Sequence, residues 1–120
     1  MSLDHYVTLG NSGLRVSPFC LGAMTFGNDW GWGSDVAESK EILARYVDRG
    51  GNFVDTANAY TKGHSETIIG DYLKSASFGR DRMVIATKFF ANLFPGDPNG
   101  GGANRKSLTA ACEQSLRRLQ

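Results

Sequence analysis

Apolar and polar residues alternate in two short runs near the start of the chain, Tyr6-Val7-Thr8-Leu9 and Leu14-Arg15-Val16-Ser17. Between them stands Gly10-Asn11-Ser12-Gly13, whose glycines and asparagine supply the positive backbone angles of a tight turn. Residues 6–17 therefore read as a β-hairpin. After Pro18 the pattern changes. Phe19-Cys20-Leu21-Gly22-Ala23-Met24 is apolar without clear alternation and too short for a helix, which predicts a strand buried on both faces. Asn28-Asp29-Trp30-Gly31-Trp32-Gly33 follows as a loop. Asp35 and Glu38 then have the spacing of a capping box, and Val36, Ile42, Leu43, Tyr46 and Val47 share one broad helical face that Gly50-Gly51 terminates.

The same strand-then-helix pattern repeats twice. Asn52 to Ala57 reads as a second strand, followed by a helix over about Ser65 to Ser75 with Ile68, Ile69, Tyr72 and Leu73 inward. Met83 to Phe89 reads as a third strand, and a Gly-rich loop over residues 90–103 leads to a third helix capped by Asn104. In that helix Leu108, Cys112, Leu116 and Leu119 recur at three- and four-residue spacing, predicting a buried face. Three successive βα units, from about residues 18, 52 and 83, imply a parallel sheet, since each crossover helix returns the chain in the same direction. Doubly wound sheets and (β/α)₈ barrels both begin this way. Three strands alone leave long edges and too little for the helix faces to pack on. Residues 1–120 are therefore expected to be the N-terminal part of one domain, truncated inside a helix.

Composition narrows the partners. The chain is 41% hydrophobic and carries 13 Lys and Arg against 12 Asp and Glu, a formal charge of +1. Nucleic acid and anionic membrane surfaces both favour a clear basic excess, and none is present. No stretch has the length of a membrane span or a signal-peptide core, so a cytoplasmic location is expected. Cys20 and Cys112 are far apart and outside any C-x-x-C pair; they are expected to be buried structural thiols rather than metal ligands or a disulfide.

Functional groups of parallel α/β folds gather at the carboxyl ends of the strands. Asp55 ends one apolar run, Lys88 ends another, and Tyr60 lies five residues past Asp55. Adjacent parallel strands are about 4.8 Å apart, close enough for Asp55 and Lys88 to pair across the sheet. An ammonium about 4 Å from a phenol favours the phenolate by roughly 4 kcal/mol at an effective dielectric near 20. Tyr60 would then serve as a general acid, with Asp55 holding Lys88 charged and in place. Spacing alone favours a buried structural ion pair with Tyr60 as a packing residue.

The stretch Gly51-Asn52-Phe53-Val54-Asp55-Thr56-Ala57-Asn58-Ala59-Tyr60, continued by Gly63-His64-Ser65-Glu66 and Gly70, closely resembles the signature of the aldo-keto reductases. Leu9 to Ser17 and Leu21-Gly22-Ala23-Met24-Thr25-Phe26-Gly27 resemble that family's opening hairpin and first barrel strand, and Ile85-Ala86-Thr87-Lys88 its third-strand lysine. The long Gly-rich loop is most like bacterial members related to the potassium-channel beta subunits. The resemblance implies a (β/α)₈ TIM barrel closed below by the hairpin, of which this chain supplies the hairpin and about three βα units, under half of a typical barrel of about 250 residues. It also implies reduction of a small-molecule aldehyde or ketone with NADP(H). Asp55, Tyr60 and Lys88 would be catalytic, Gly22, Ala23, Met24, Thr25 and Asp55 would hold the nicotinamide ribose, and Trp30 and Trp32 would form either a substrate wall or a loop-anchoring cluster. A fourth catalytic residue, usually a histidine on the fourth strand, is matched by neither His5 nor His64. A cofactor-binding regulatory subunit and a self-associating inactive fragment are the alternatives to an enzyme.

Overall fold

In the computed structural model, which describes residues 2–120, a two-stranded antiparallel hairpin precedes a three-stranded parallel sheet. The hairpin pairs β1 (Val7–Thr8) with β2 (Arg15–Val16), shorter than the alternation predicts because only these residues complete the ladder. The sheet comprises β3 (Leu21–Gly22), β4 (Phe53–Asp55) and β5 (Val84–Ala86), in that spatial order. Between them run α1 (Val36–Asp48) and α2 (His64–Ser75), and α3 (Arg105–Leu119) follows the last strand. Sequential order matches spatial order, as expected of consecutive βα units that add strands on one side.

The local signals explain the element ends. Asp35 accepts a hydrogen bond from the Glu38 N–H at 2.9 Å while Glu38 accepts one from the Asp35 N–H at 3.2 Å, completing the capping box of α1. Asn104 caps α3 by accepting from the Ser107 N–H at 2.9 Å. The hairpin is tied to the sheet by Asn52, whose side chain accepts from the Ser17 N–H at 2.8 Å and donates to the Arg15 carbonyl at 3.1 Å. Among the described residues, no helix is long and apolar enough to cross a membrane.

The core lies between the sheet and the helices. Ala23, Phe26, Leu43, Val54, Ile68, Ile69, Leu73, Met83 and Leu119 form one buried cluster. Glu66 sits within the same layer with no exposed surface, receiving Arg118 Nε–H at 2.6 Å and Thr87 Oγ1–H at 2.6 Å. An ionised carboxylate there is tolerable because its charge is paired and its oxygens are hydrogen-bonded.

Three burial expectations are corrected. The first strand is not buried on both faces: Leu21 and Ala23 turn toward the helices, whereas Cys20, Gly22 and Met24 face outward and are exposed. Its alternation is hidden in the sequence because the outward positions carry small or apolar residues. In α1, Leu43 is buried but Val36 and Ile42 are more than a third exposed. In α3, only Leu119 of the expected face is buried; Leu108 and Leu116 are 47% and 65% exposed, and they line an open groove with Ile85 and Phe89. The reason is geometric, since α3 meets α2 through its C-terminal turn and its remaining apolar side has no element against it. Both cysteines are accordingly exposed rather than buried.

Close approach of α2 and α3 requires Gly70. A Cβ there would lie 2.2 Å from the Arg118 carbonyl oxygen, which belongs to the backbone and cannot rotate away. Gly70→Ala is therefore expected to lower stability by about 1–3 kcal/mol despite better helix propensity, by overpacking. The midpoint of urea unfolding measures it, and an unchanged or raised midpoint would contradict this packing.

Candidate active site

The parallel register decides what meets at the carboxyl end of the sheet. Asp55 stands opposite Gly22 on one side and Ala86 on the other. Beyond the strand ends the ladder continues, with the Thr56 N–H donating to the Ala86 carbonyl at 2.8 Å and the Asn58 N–H to the Lys88 carbonyl at 3.0 Å. Lys88 is thereby carried over the end of β4. All three ammonium protons find acceptors: Asp55 Oδ2 at 2.5 Å, the Thr56 carbonyl at 2.9 Å and Tyr60 Oη at 3.3 Å. The ammonium also lies 5.0 Å from the centre of the Tyr60 ring. Desolvation pulls the Lys88 pKa down, but the hydrogen bonds from Lys88 to Asp55 and Tyr60 outweigh it and hold the group above its ordinary 10.5. Lys88 therefore presents an ammonium to the phenol oxygen throughout the neutral range.

Tyr60 begins a short 3₁₀ turn, Tyr60–Gly63, that leads into α2. Within it Thr61 and Lys62 adopt φ of 47° and 58° and Gly63 φ of 92°, three consecutive left-handed residues of which two are not glycine. Such a backbone persists only where surrounding contacts hold it. Thr61 supplies one, its buried Oγ1 donating to the Phe26 carbonyl at 2.8 Å and accepting from the Ser65 N–H at 3.0 Å. Gly63 leaves no room for a side chain, since a Cβ there would meet the Arg118 side chain at 2.9 Å.

The end of β3 lies beside this cluster. Gly22 is exposed, and a Cβ built on it would meet nothing within 4 Å, so the sheet face next to Asp55 is open. Met24 is exposed and Thr25 half-buried. Ala23 differs from its neighbours: it has no exposed surface, its N–H donates to the Asp55 carbonyl at 2.8 Å, and its own carbonyl accepts from Ser65 Oγ at 2.7 Å. It fastens the strand end rather than facing outward. Cys20 lies near the triad electrostatically, its thiol pushed above 9.0 by partial burial and then by the Asp55 carboxylate, against the opposing charge of Lys88.

Trp30 and Trp32 pack on one another, ring centres 5.5 Å apart and planes inclined at 40°, and both are exposed. After Lys88, the backbone of Phe90 takes φ of 102°, held where the Gly102 N–H donates to its carbonyl at 2.8 Å. Two contributors escape reading from residue order. The Thr56 carbonyl is a main-chain acceptor without any side-chain signature. Asp29 and His64, 35 positions apart, meet at 2.7 Å in the folded chain.

A parallel sheet of consecutive βα units, preceded by a hairpin and carrying a lysine–carboxylate–phenol cluster at its carboxyl end, has the architecture of part of a (β/α)₈ barrel. The chain belongs to the aldo/keto reductase family, which matches residues 18–120. It is 40% identical over 97% of its length to an aryl-alcohol dehydrogenase of Pestalotiopsis microspora, covering 32% of that protein. It is 42% identical over 95% of its length to a probable voltage-gated potassium channel subunit beta of Arabidopsis thaliana, covering 33% of it. The holo form of an aldo-keto reductase from Bacillus halodurans superposes with a TM-score of 0.78 at 30% identity, over 96% of this chain and 36% of that one. The chain thus spans about a third of the length of these relatives. The expected likeness to bacterial relatives of the channel beta subunits is corrected: the matched channel beta subunits are fungal and plant proteins, and the bacterial structural match is an aldo-keto reductase. The expected fold is thereby established as a partial TIM barrel, hairpin first and βα units after.

The raised pKa of Lys88 fixes the sign of one pH effect. Its stabilising contribution is complete below the ordinary value of 10.5 and is lost as pH rises through the higher folded value. Urea midpoints measured across the alkaline range should fall for the wild type in that window, and fall less for Lys88→Met. Equal alkaline losses in the two proteins would contradict the triad's charge state.

Proposed function

We propose that this chain carries the proton donor and the nicotinamide floor of an NADPH-dependent reductase of aldehydes and ketones, acting in the cytoplasm on a small-molecule carbonyl substrate. The observation that carries the reading is the single ammonium of Lys88 bonded to both Asp55 Oδ2 at 2.5 Å and Tyr60 Oη at 3.3 Å. A general acid must deliver its proton and then carry the resulting charge, and an ammonium at hydrogen-bond distance stabilises the phenolate that remains. Asp55 keeps that ammonium aimed at the phenol. A third bond, to the Thr56 carbonyl, removes the freedom the long lysine side chain would otherwise have.

The residues beside the triad fit a nicotinamide cofactor. The exposed, side-chain-free position at Gly22 leaves room for a flat ring over the sheet end, and the Asp55 carboxylate, directly opposite in register, is suited to accept from a ribose hydroxyl. Met24 and Thr25 extend this floor, and Ala23 supports it from beneath. A bound nicotinamide would supply hydride to the carbonyl carbon. The chain's own part is to hold the carbonyl oxygen at Tyr60 Oη, transfer the phenolic proton to it, and screen the reacting face with Trp30 and Trp32.

In the complete polypeptide, Tyr60→Phe should lower carbonyl reduction by about 10²–10⁴-fold, the usual worth of general acid catalysis, while NADPH still binds. Steady-state rates paired with cofactor fluorescence titration measure both, and undiminished turnover would remove Tyr60 from the chemistry. A second reading, a cofactor-bound regulatory subunit, draws on the relatives named as channel beta subunits. Tight NADPH binding with negligible turnover on a broad panel of aldehydes would favour it.

A further inference from the structure

The loop over residues 28–33 and the Tyr60–Gly63 turn belong to different βα units, yet two side-chain links fasten one to the other. The first is the buried bond from Thr61 Oγ1 to the Phe26 carbonyl at 2.8 Å, just ahead of the loop. The second is at the surface, where His64 Nδ1 lies 2.7 Å from Asp29 Oδ2, each side chain a little over a third exposed. A carboxylate only accepts, so Nδ1 carries the proton of this bond. The Asp29 carboxyl is held below its ordinary 3.8, first by the hydrogen bond from His64 and last by the charge of Lys62, which keeps it ionised.

Gly27 makes the link possible. Its φ is +91°, and a Cβ there would stand 2.8 Å from Asp29 Oδ2, 3.0 Å from Thr61 Oγ1 and 3.2 Å from His64 Nδ1. The bare backbone at residue 27 is the space in which both links close. On one side of the pair, Asp29 immediately precedes Trp30, and the loop folds back through the Gly31 N–H donating to the Asn28 carbonyl at 2.9 Å. On the other side, His64 follows the left-handed Thr61-Lys62-Gly63 stretch that begins at Tyr60. The pair therefore spans from the residue beside one indole to the helix start that fixes the phenol-bearing turn.

We propose that the His64–Asp29 pair is a positioning clasp that sets the Trp30–Trp32 wall relative to Tyr60, and so governs how tightly a carbonyl substrate is held rather than how fast its proton is transferred. This rests on the reductase reading above. Neither side chain bonds a triad side chain, and the His64 backbone N–H, which reaches the Tyr60 and Thr61 carbonyls, survives any substitution at that position, so the clasp acts through the loop it holds. Removing it frees the loop while the buried Thr61 link still holds the Tyr60 turn.

The test uses the complete polypeptide with His64→Ala, His64→Gln and Asp29→Asn. The indole signal is taken as the difference from the Trp30→Phe, Trp32→Phe double variant. His64→Ala is expected to raise acrylamide quenching of these indoles and to raise KM for an aromatic aldehyde about two- to fivefold, the range of an exposed ion pair, with kcat and its pH profile unchanged. His64→Gln retains a donor and should recover part of both effects. Should His64→Ala fail to fold, Asp29→Asn, which keeps the shape and removes the charge, carries the same expectation. Unchanged quenching and KM, or a fall in kcat at constant KM, would overturn the clasp. Absence of wild-type turnover would overturn the reductase reading instead, and the quenching comparison would then decide the clasp alone.

Discussion

A carboxylate without exposed surface has to find its own counter-charge, and in this chain that requirement joins the layers. Glu66 of α2 binds Arg118 of α3 through one oxygen and Thr87 through the other. The first bond fixes how the last helix crosses the second, close enough that only Gly70 fits between them. The second pins the backbone immediately before Lys88. Leaving such a group unpaired costs several kcal/mol, about 3–5 by comparison with broken buried pairs, so the arrangement is specified strongly. The residue preceding Lys88 is thus tied to a charge that itself never reaches the surface.

From that anchor the site assembles by register. β4 and β5 run parallel, which sends Asp55 and Lys88 out of the same end of the sheet, and the ladder bonds beyond the strands keep their backbones adjacent. Lys88 then closes a three-way bond to a carboxylate, a carbonyl and a phenol. Each acceptor comes from the same short segment, residues 55 to 60, so one strand and its following turn supply the whole environment of the ammonium. Strain is concentrated next to it, in the left-handed residues Thr61 and Lys62, and is offset by the buried Thr61 bond to the preceding unit.

Much of this was legible from residue order, because it depends on local rules. The capping box at Asp35 and Glu38, the Asn104 cap and the Gly10–Gly13 turn are fixed by neighbours within a few positions, and each stands where the pattern placed it. The polar residues ending apolar runs marked Asp55 and Lys88, and parallel pairing follows from short units of alternating type. Burial was less legible. Apolar spacing over Leu108, Cys112 and Leu116 looks the same whether or not something lies against it, and here an open groove does. The outward Cys20 and Met24 misled for the same reason, since an apolar side chain does not declare which face of a strand it takes.

The sequence by itself determined the element types, their order, the family signature and the identity of the charged and phenolic groups, since these follow from short-range propensity and spacing. Only the tertiary structure decided that Ala23 packs inward while Gly22 stays open, that the Thr56 carbonyl completes the lysine's shell, and that Asp29 meets His64 across 35 residues. Those facts depend on strand register and on the approach of backbone segments from separate units. Such distances are set by packing of the whole layer, and no local spacing rule encodes them.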